Sequence, residues 1–542
     1  MDKDLVLDIR NLSVVLPKGS DRQYAIENID LQLRQGEVLC LVGESGSGKT
    51  ITALTIMGLL PGPRLYASGG EILFRDEDLL RTTLERLREI RGNEISMIFQ
   101  EPMVALNPLM AIGKQIDEVM RIHTDQPSKN RRQRILELLE VVHLPDPKSI
   151  IDAYPHQLSG GQRQRVMIAM AVILNPKILI ADEPTTALDV TTELQILKLI
   201  KEIQERYSTA VLFITHNFGV VAEIADKVAV MQEGKLVEFG KSDQVLKNPR
   251  HHYTKSLIEA VPSLVPSKSM ESTNSKVVLA ARGLSKTYHL SGAIFGGGRR
   301  VDAVKNVSLE LHHNETLGIV GESGCGKSTF ARCVIRLIEA DRGSILLEGV
   351  DIRAFSKKRM RSYRRRIQMV FQDPYGSLNP RYKVGRLIAE GLITNGKDPR
   401  TAYKRAHEML ELVGLPPNAR DRFPHEFSGG QRQRIAIARA LALDPEILIA
   451  DEPVSALDVS IQAQILQLLA DIRKRLNLSI LFITHDLRVA AQICDRIAVM
   501  FEGEIIEYGT SNEIFTNPRH LYTKELFDSI PGKNWQVPRF KT

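Results

Sequence analysis

The chain has 542 residues, 43% of them hydrophobic and 25% charged, with a formal net charge of +7. Cores stop growing near roughly 250 to 300 residues, so more than one domain is required, and this balance of apolar and charged residues excludes a disordered chain or a membrane-spanning body. No run approaches the about 20 apolar residues of a spanning helix, and the positive charge, which nucleic acid, an anionic membrane face or a polyanionic nucleotide would suit, alone decides nothing against a plain solvated surface.

At the N-terminus, Met1 to Arg10 is acidic as well as apolar and lacks the basic start of a signal peptide, which predicts a chain that stays in the cytoplasm. The run Val38 to Val42 predicts a buried strand and leads directly into Gly43-Glu44-Ser45-Gly46-Ser47-Gly48-Lys49-Thr50, a G-x-x-x-x-G-K-[ST] phosphate loop with a helix pattern behind it. In such a loop Gly43, Ser45, Gly46 and Gly48 let backbone N–H groups wrap the phosphates of ATP. Lys49 adds a full charge, and Thr50 ligates Mg2+. A second apolar strand, Met97 to Phe99, ends at Gln100. Further on, Leu158-Ser159-Gly160-Gly161-Gln162 opens a predicted helix over Gln162 to Leu174, where a hydroxyl and two glycine amides make a second anion-binding terminus. The strand Ile178 to Ala181 delivers Asp182 and Glu183, carboxylates whose burial without purpose would be costly. Asp182 is placed to hold Mg2+ through water, and Glu183 to polarise the attacking water as general base. The strand Val211 to Thr215 delivers His216.

After a Pro- and Ser-rich stretch, Pro262 to Ser275, which reads as a linker, the whole plan recurs. Gly321, Ser323, Gly324, Gly326, Lys327 and Ser328 form a second phosphate loop. Gln372 follows Met369 to Phe371, and Phe427-Ser428-Gly429-Gly430-Gln431 opens a helix predicted over Gln431 to Leu443. Asp451 and Glu452 follow Ile447 to Ala450, and His485 follows Ile480 to Thr484. Ser159 and Ser428, Asp182 and Asp451, His216 and His485, and Tyr253 and Tyr522 all lie 269 positions apart, whereas Gln100 and Gln372 are 272 apart and Lys49 and Lys327 are 278 apart. So long a period means duplicated domains and no solenoid, with length differences confined to surface loops in the front halves. Domains are expected over 1–261 and 276–530, with a linker over 262–275 and a tail over 531–542. Continuous apolar strands alternating with helix patterns predict an α/β fold with a largely parallel sheet. Gly292 to Gly298, with Arg299 and Arg300 behind it, reads as a flexible loop with no strand before it and no helix after it. Cys40, Cys325, Cys333 and Cys494 form no C-x-x-C pair and read as free thiols. Cys325, inside the second phosphate loop, invites the reading of a helix-activated, oxidisable thiol beside that of an inert small residue.

The Leu158 to Gln162 and Phe427 to Gln431 strings resemble the signature of the ATP-binding-cassette family, which separates it from other phosphate-loop ATPases. The resemblance implies two tandem cassettes, each with a RecA-like α/β core, an antiparallel β subdomain and a helical signature subdomain. It also implies ATP sandwiched between the phosphate loop of one cassette and the Ser159, Gly160, Gly161 and Gln162, or Ser428, Gly429, Gly430 and Gln431, of the other. Gln100 and Gln372 resemble the Q-loop residue that touches Mg2+. Ala187-Leu188-Asp189 and Ala456-Leu457-Asp458 resemble the D-loop, and His216 and His485 the switch histidine. Tyr288 stands where the family places an aromatic that stacks on adenine, and Leu16 occupies that position in the first copy, with Tyr24 as a substitute. The strings Phe99 to Pro108 and Phe371 to Pro380, with Asn248 to Thr254 and Asn517 to Thr523, resemble the oligopeptide, dipeptide and nickel importer group. Within it, the fused ATPase subunits of microcin C type peptide importers are similar in length and in direct fusion, with fused glutathione-importer ATPases as the competing resemblance. Implied partners are two inner-membrane permeases, read as a heterodimer, and a periplasmic or lipid-anchored substrate-binding protein, with no nucleic acid, at the cytoplasmic face of the inner membrane. Fused cassette proteins that act on ribosomes carry a long charged helical linker, which this chain lacks.

Overall fold

The computed structural model describes residues 4–186, 188–266, 276–290, 299–455 and 457–540. They divide into a first unit, Met1–Val261 together with Pro531–Thr542, and a second unit, Pro262–Ile530.

In the first unit Val38–Val42, Ile178–Asp182 and Ala210–Thr215 are buried at every residue, as a sheet covered on both faces demands. They are inner strands of a six-stranded sheet ordered Lys235–Lys241, Lys227–Gln232, Val38–Val42, Ala210–Thr215, Ile178–Asp182, Ile95–Ile98. All neighbours are parallel except the Lys235–Lys241 edge. Register decides where function can sit: Val42 lies beside Thr215, Asp182 beside Ile214, and Ile98 beside Ala181. The segments that follow these strands, with the phosphate loop, Gln100, Glu183 and His216, therefore emerge together at the carboxyl end of the sheet, where open α/β sheets bind ligands. A four-stranded antiparallel sheet, ordered Tyr24–Arg34, Leu5–Val15, Tyr66–Phe74, Glu77–Asp78, shares one core with it. Ile9, Leu12, Ile26 and Phe74 pack into the same cluster as Leu39, Ile180 and Leu212. Helices Ile112–His123, Ser128–Val141 and Gly160–Val172 pack on one another as the helical part.

The second unit repeats this plan. Its six-stranded sheet runs Ile367–Val370, Ile447–Asp451, Ser479–Thr484, Thr316–Val320, Arg496–Phe501, Glu504–Thr510, and its four-stranded sheet runs Arg299–His312, Val277–Leu290, Arg342–Leu347, Val350–Asp351. Helices Val384–Thr394, Pro399–Leu412 and Gly429–Leu441 form its helical part.

Three expectations change in detail. The signature helices begin two residues early, at Gly160 and Gly429, because Ser159 and Ser428 act as caps: each hydroxyl accepts the N–H of Gln162 or Gln431, whose side chain returns the bond. The Gly292 to Gly298 patch lies outside the described residues, but Val277–Leu290 before it and Arg299–His312 after it are paired antiparallel strands. A strand does precede the patch, hidden from a pattern search by its polar outer face. The last residues fold onto the first unit, where Gly532 N–H donates to Glu223 at 3.0 Å and Phe540 N–H to Glu259 at 3.0 Å. Residues 267–275 of the linker, and Ala187 and Ala456 of the D-loop strings, lie outside the described residues.

Candidate functional site

The phosphate loop of each unit turns through glycines that tolerate no side chain. At Gly48 φ is 108°, and an added Cβ would lie 2.7 Å from the Ala25 carbonyl oxygen; at Gly326 φ is 110°, with the Ala303 oxygen at 2.1 Å. The turn feeds helices Lys49–Ile56 and Lys327–Val334. Lys49 Nζ lies back along the loop, donating to the Gly43 and Glu44 carbonyls at 2.7 and 2.9 Å. Lys327 does the same to Gly321 and Glu322, both at 2.7 Å.

One step further, Thr50 Oγ1 donates to Asp182 Oδ1 at 3.2 Å and Ser328 Oγ to Asp451 Oδ1 at 2.8 Å. Burial lifts Asp182 to about 6 despite the Thr50 hydrogen bond, with Glu183 adding to the rise. Burial likewise raises Asp451. Asp451 Oδ2 is buried with no hydrogen-bonding partner among the described residues. An orphaned carboxylate oxygen beside a serine hydroxyl and a phosphate cradle is the hard oxygen donor set that Mg2+ takes with nucleotide phosphates. The residues present thus fit the metal.

Glu183 and Glu452 have φ of 46° and 47°, the left-handed region that glutamate rarely adopts. Each is held there from the neighbouring strand, Glu183 N–H donating to Ile214 O at 3.0 Å and Glu452 N–H to Ile483 O at 2.9 Å. The sharp turn aims the carboxylate back over the sheet end, where two other predicted residues meet it. Gln100 Nε2 donates to Glu183 Oε2 at 3.0 Å, and His216 Nδ1 lies 3.2 Å from Oε1. Gln372 Nε2 donates to Glu452 Oε2 at 2.9 Å, with His485 Nδ1 3.2 Å from the same oxygen. Burial would raise both glutamates, but the histidine partner and the loop lysine outweigh it and hold them below the ordinary value. Burial works against charge on His485 too, yet Glu452 holds it above its ordinary value. Neighbouring carboxylates are therefore pushed apart, the aspartate towards its neutral form and the glutamate towards the ion, a split that assigns different roles to a pair.

The signature residues gather elsewhere. Ser159 and Gln162 bond one another, as do Ser428 and Gln431, and no described hydrogen bond ties them to the phosphate loop of their own unit. Gly161 must be small: a Cβ there would lie 2.7 Å from Thr192 Cγ2, and one at Gly430 2.3 Å from Ile461 Cγ2. Asp189 caps the helix Val190–Tyr207 by accepting from Thr192 N–H at 2.9 Å.

Where the resemblance expects an aromatic to stack on adenine, the units differ. Tyr288 sits on its strand opposite Val301, whereas Leu16 bonds the Gln23 carbonyl through its N–H at 2.9 Å and packs against the core. Two features went unread in the sequence. Arg22 places its guanidinium on the Gly46 carbonyl of the first phosphate loop, while Arg300 of the second unit instead pairs with Asp302 at 3.0 Å. The Tyr253 and Tyr522 hydroxyls accept the N–H of Glu44 and Glu322, both at 3.2 Å, bracing each loop from the end of its own unit. Their recurrence in one register was the available signal. At Cys325 burial raises the thiol pKa against the pull of Lys327, which supports the inert small residue over the activated thiol.

Residues 26–186 and 304–455 match the ABC transporter family, and residues 237–286 and 506–538 match the C-terminal region of oligopeptide/dipeptide transporters. The chain belongs to the ABC transporter ATP-binding proteins, a family of ATPases, and carries two of their cassettes. It is 46% identical over 527 residues to the peptidoglycan transport ATP-binding protein YejF of Agrobacterium fabrum, covering 96% of this chain and 95% of the relative. It is 44% identical over 562 residues to the glutathione import ATP-binding protein GsiA of Salmonella typhimurium, covering 98% and 90%. Among the described residues no helix is long and apolar enough to cross a membrane.

Proposed function

We propose that this chain is the ATP-hydrolysing subunit of a bacterial importer of peptides, working at the cytoplasmic face of the inner membrane. The observation that carries the chemistry is the duplicated meeting of glutamine, glutamate and histidine at the end of the sheet, with Gln100, Glu183 and His216 within 3.2 Å contacts and Gln372, Glu452 and His485 repeating them. Cargo of peptide character is supported by the importer-type C-terminal regions and by relatives whose names specify peptidoglycan and glutathione, both built with peptide linkages.

In this reading Thr50, Asp182 and Gln100, and Ser328, Asp451 and Gln372, hold Mg2+, which when bound neutralises phosphate charge. Lys49 and Lys327 leave the loop carbonyls for the phosphate oxygens. Glu183 and Glu452, ionised and clamped, orient the attacking water and take its proton on a carboxylate oxygen. His216 and His485 stand next to that oxygen and report the terminal phosphate. Two membrane permeases, of different sequence because Met103-Val104-Ala105 and Tyr375-Gly376-Ser377 differ, and an external binding protein complete the importer. Replacing both Glu183 and Glu452 by Gln should lower phosphate release by about 100-fold or more while ATP still binds. Turnover near that of the unsubstituted chain refutes the assignment.

A further inference from the structure

Both units carry Leu-Asn-Pro after the Q-loop glutamine, and there their chemistry parts. Positions 109, 110, 111 and 114 of the first unit are Leu, Met, Ala and Lys, and the counterparts at 381, 382, 383 and 386 are Arg, Tyr, Lys and Arg. The helix Ile112–His123 meets Ile151 through Gly113, whereas Val384–Thr394 meets Arg420 through Gly385. In the second unit Arg381, Lys383, Arg386 and Arg420 thus line a cavity of about 540 Å3 together with Tyr382 and Tyr403. One acid lines it, Asp421, already 3.3 Å from Arg420. Among the described residues, Arg381, Lys383 and Arg386 make no ion pair. The Arg386 guanidinium lies 3.8 Å from the Tyr382 ring centre, which presets its direction. At the matching place the first unit shows Leu109, 87% exposed.

We propose that this cavity seats an acidic segment of the membrane partner that serves the second cassette, and that the first cassette takes an apolar one. The proposal rests on the membrane-partner reading above. Unpaired cations of one sign repel each other in a concave site, and a carboxylate that enters relieves this while gaining charge-assisted hydrogen bonds. Tyr382 and Tyr403 favour a peptide side of mixed character, offering ring surface for its apolar atoms and hydroxyls for its polar ones. The lone acid pairs within the wall and leaves the cationic excess available to the ligand. Because Leu109, Met110 and Ala111 stand where the second unit has Arg381, Tyr382 and Lys383, and only Lys114 keeps the charge of its counterpart Arg386, the two partner segments are not interchangeable, and the cassettes engage the pore in one fixed order.

The test uses the full chain with a benzophenone amino acid at position 403 or at position 109, photocrosslinked to inner membranes of the source cell, with the captured peptide sequenced. Position 403 should capture an integral-membrane protein through a cytoplasmic segment bearing Asp or Glu. The R381E/K383E/R386E variant should lower that yield about tenfold or more, with basal ATP hydrolysis unchanged. The R381K/R386K variant should preserve it, and position 109 should capture a different, apolar segment whatever the charge at 381–386. An uncharged segment at 403, one segment captured from both positions, or a yield indifferent to charge reversal overturns the inference and leaves the importer reading intact. Equal, charge-sensitive binding to protein-free vesicles of anionic phosphatidylglycerol overturns it in favour of lipid. Absence of any membrane protein at either position refutes the importer reading itself.

Discussion

At the scale of single residues, the split between adjacent carboxylates makes a measurable pH signature. Asp182 is raised to about 6 by burial from an ordinary 3.8, so the folded state binds its proton more tightly than the unfolded chain does. The stability that the neutral form confers is then lost as pH climbs through that interval. Without nucleotide and in EDTA, Asp182→Asn should gain melting temperature relative to the unsubstituted chain between about pH 4 and about pH 7. A difference that stays flat across this range contradicts the burial argument. The tyrosine braces give a second expectation: replacing Tyr253 and Tyr522 together by Phe removes one acceptor from each phosphate loop and should raise KM for ATP roughly two- to tenfold with kcat largely kept. An unchanged KM would leave the braces without effect on nucleotide binding. The phosphate loops, the Asp-Glu pairs, Gln100, Gln372 and both histidines were legible because each follows a recognisable apolar strand. Arg22 and the left-handed backbone at Glu183 and Glu452 were not, since one is a lone cation in a loop and the other depends on a hydrogen bond donated to the carbonyl of a strand distant in sequence.

At the scale of elements, the strands were the readable part because a sheet buried on both faces writes itself as unbroken apolar runs. The antiparallel sheets were harder. The antiparallel pair Val277–Leu290 and Arg299–His312 hides its first strand behind interspersed polar residues, and the start of each signature helix was displaced because glycine looked like loop when a serine cap made it the first turn. Loop geometry yields its own test. Gly326→Ala must accommodate a Cβ 2.1 Å from the Ala303 oxygen as well as a φ of 110°, whereas at Gly324, with φ of 84°, nothing lies within 4 Å. Gly324→Ala should cost only backbone strain of about 1 to 3 kcal/mol. Gly326→Ala should abolish ATP binding at the second loop, read by nucleotide titration in a chain whose first loop carries Lys49→Ala. Retained binding in that chain would show that the loop can move aside.

At the scale of the whole molecule the two cassettes are near copies with unequal equipment. By the family resemblance Tyr288 is proposed for the second base position, while the first has Leu16 there and an arginine on the phosphate loop. Ring stacking is worth about 0.5 to 1.5 kcal/mol, so a chain reduced to its first site by Lys327→Ala should bind ATP roughly two- to tenfold more weakly than one reduced to its second by Lys49→Ala. Equal affinities in the two chains would mean that Arg22 or Tyr24 makes up for the missing ring. The duplication was legible from the 269-residue register, but the assignment of the last residues to the first unit was not, because nothing in a short polar tail announces where it will pack. That packing has a consequence for biosynthesis. Pro531–Thr542 belongs with Met1–Val261, so the domain translated first receives its final segment only after the domain translated second has left the ribosome. A nascent chain halted after the first cassette should therefore be more sensitive to protease than the same cassette in the finished protein, and a premature stop near residue 530 should weaken the cassette farthest from it in sequence.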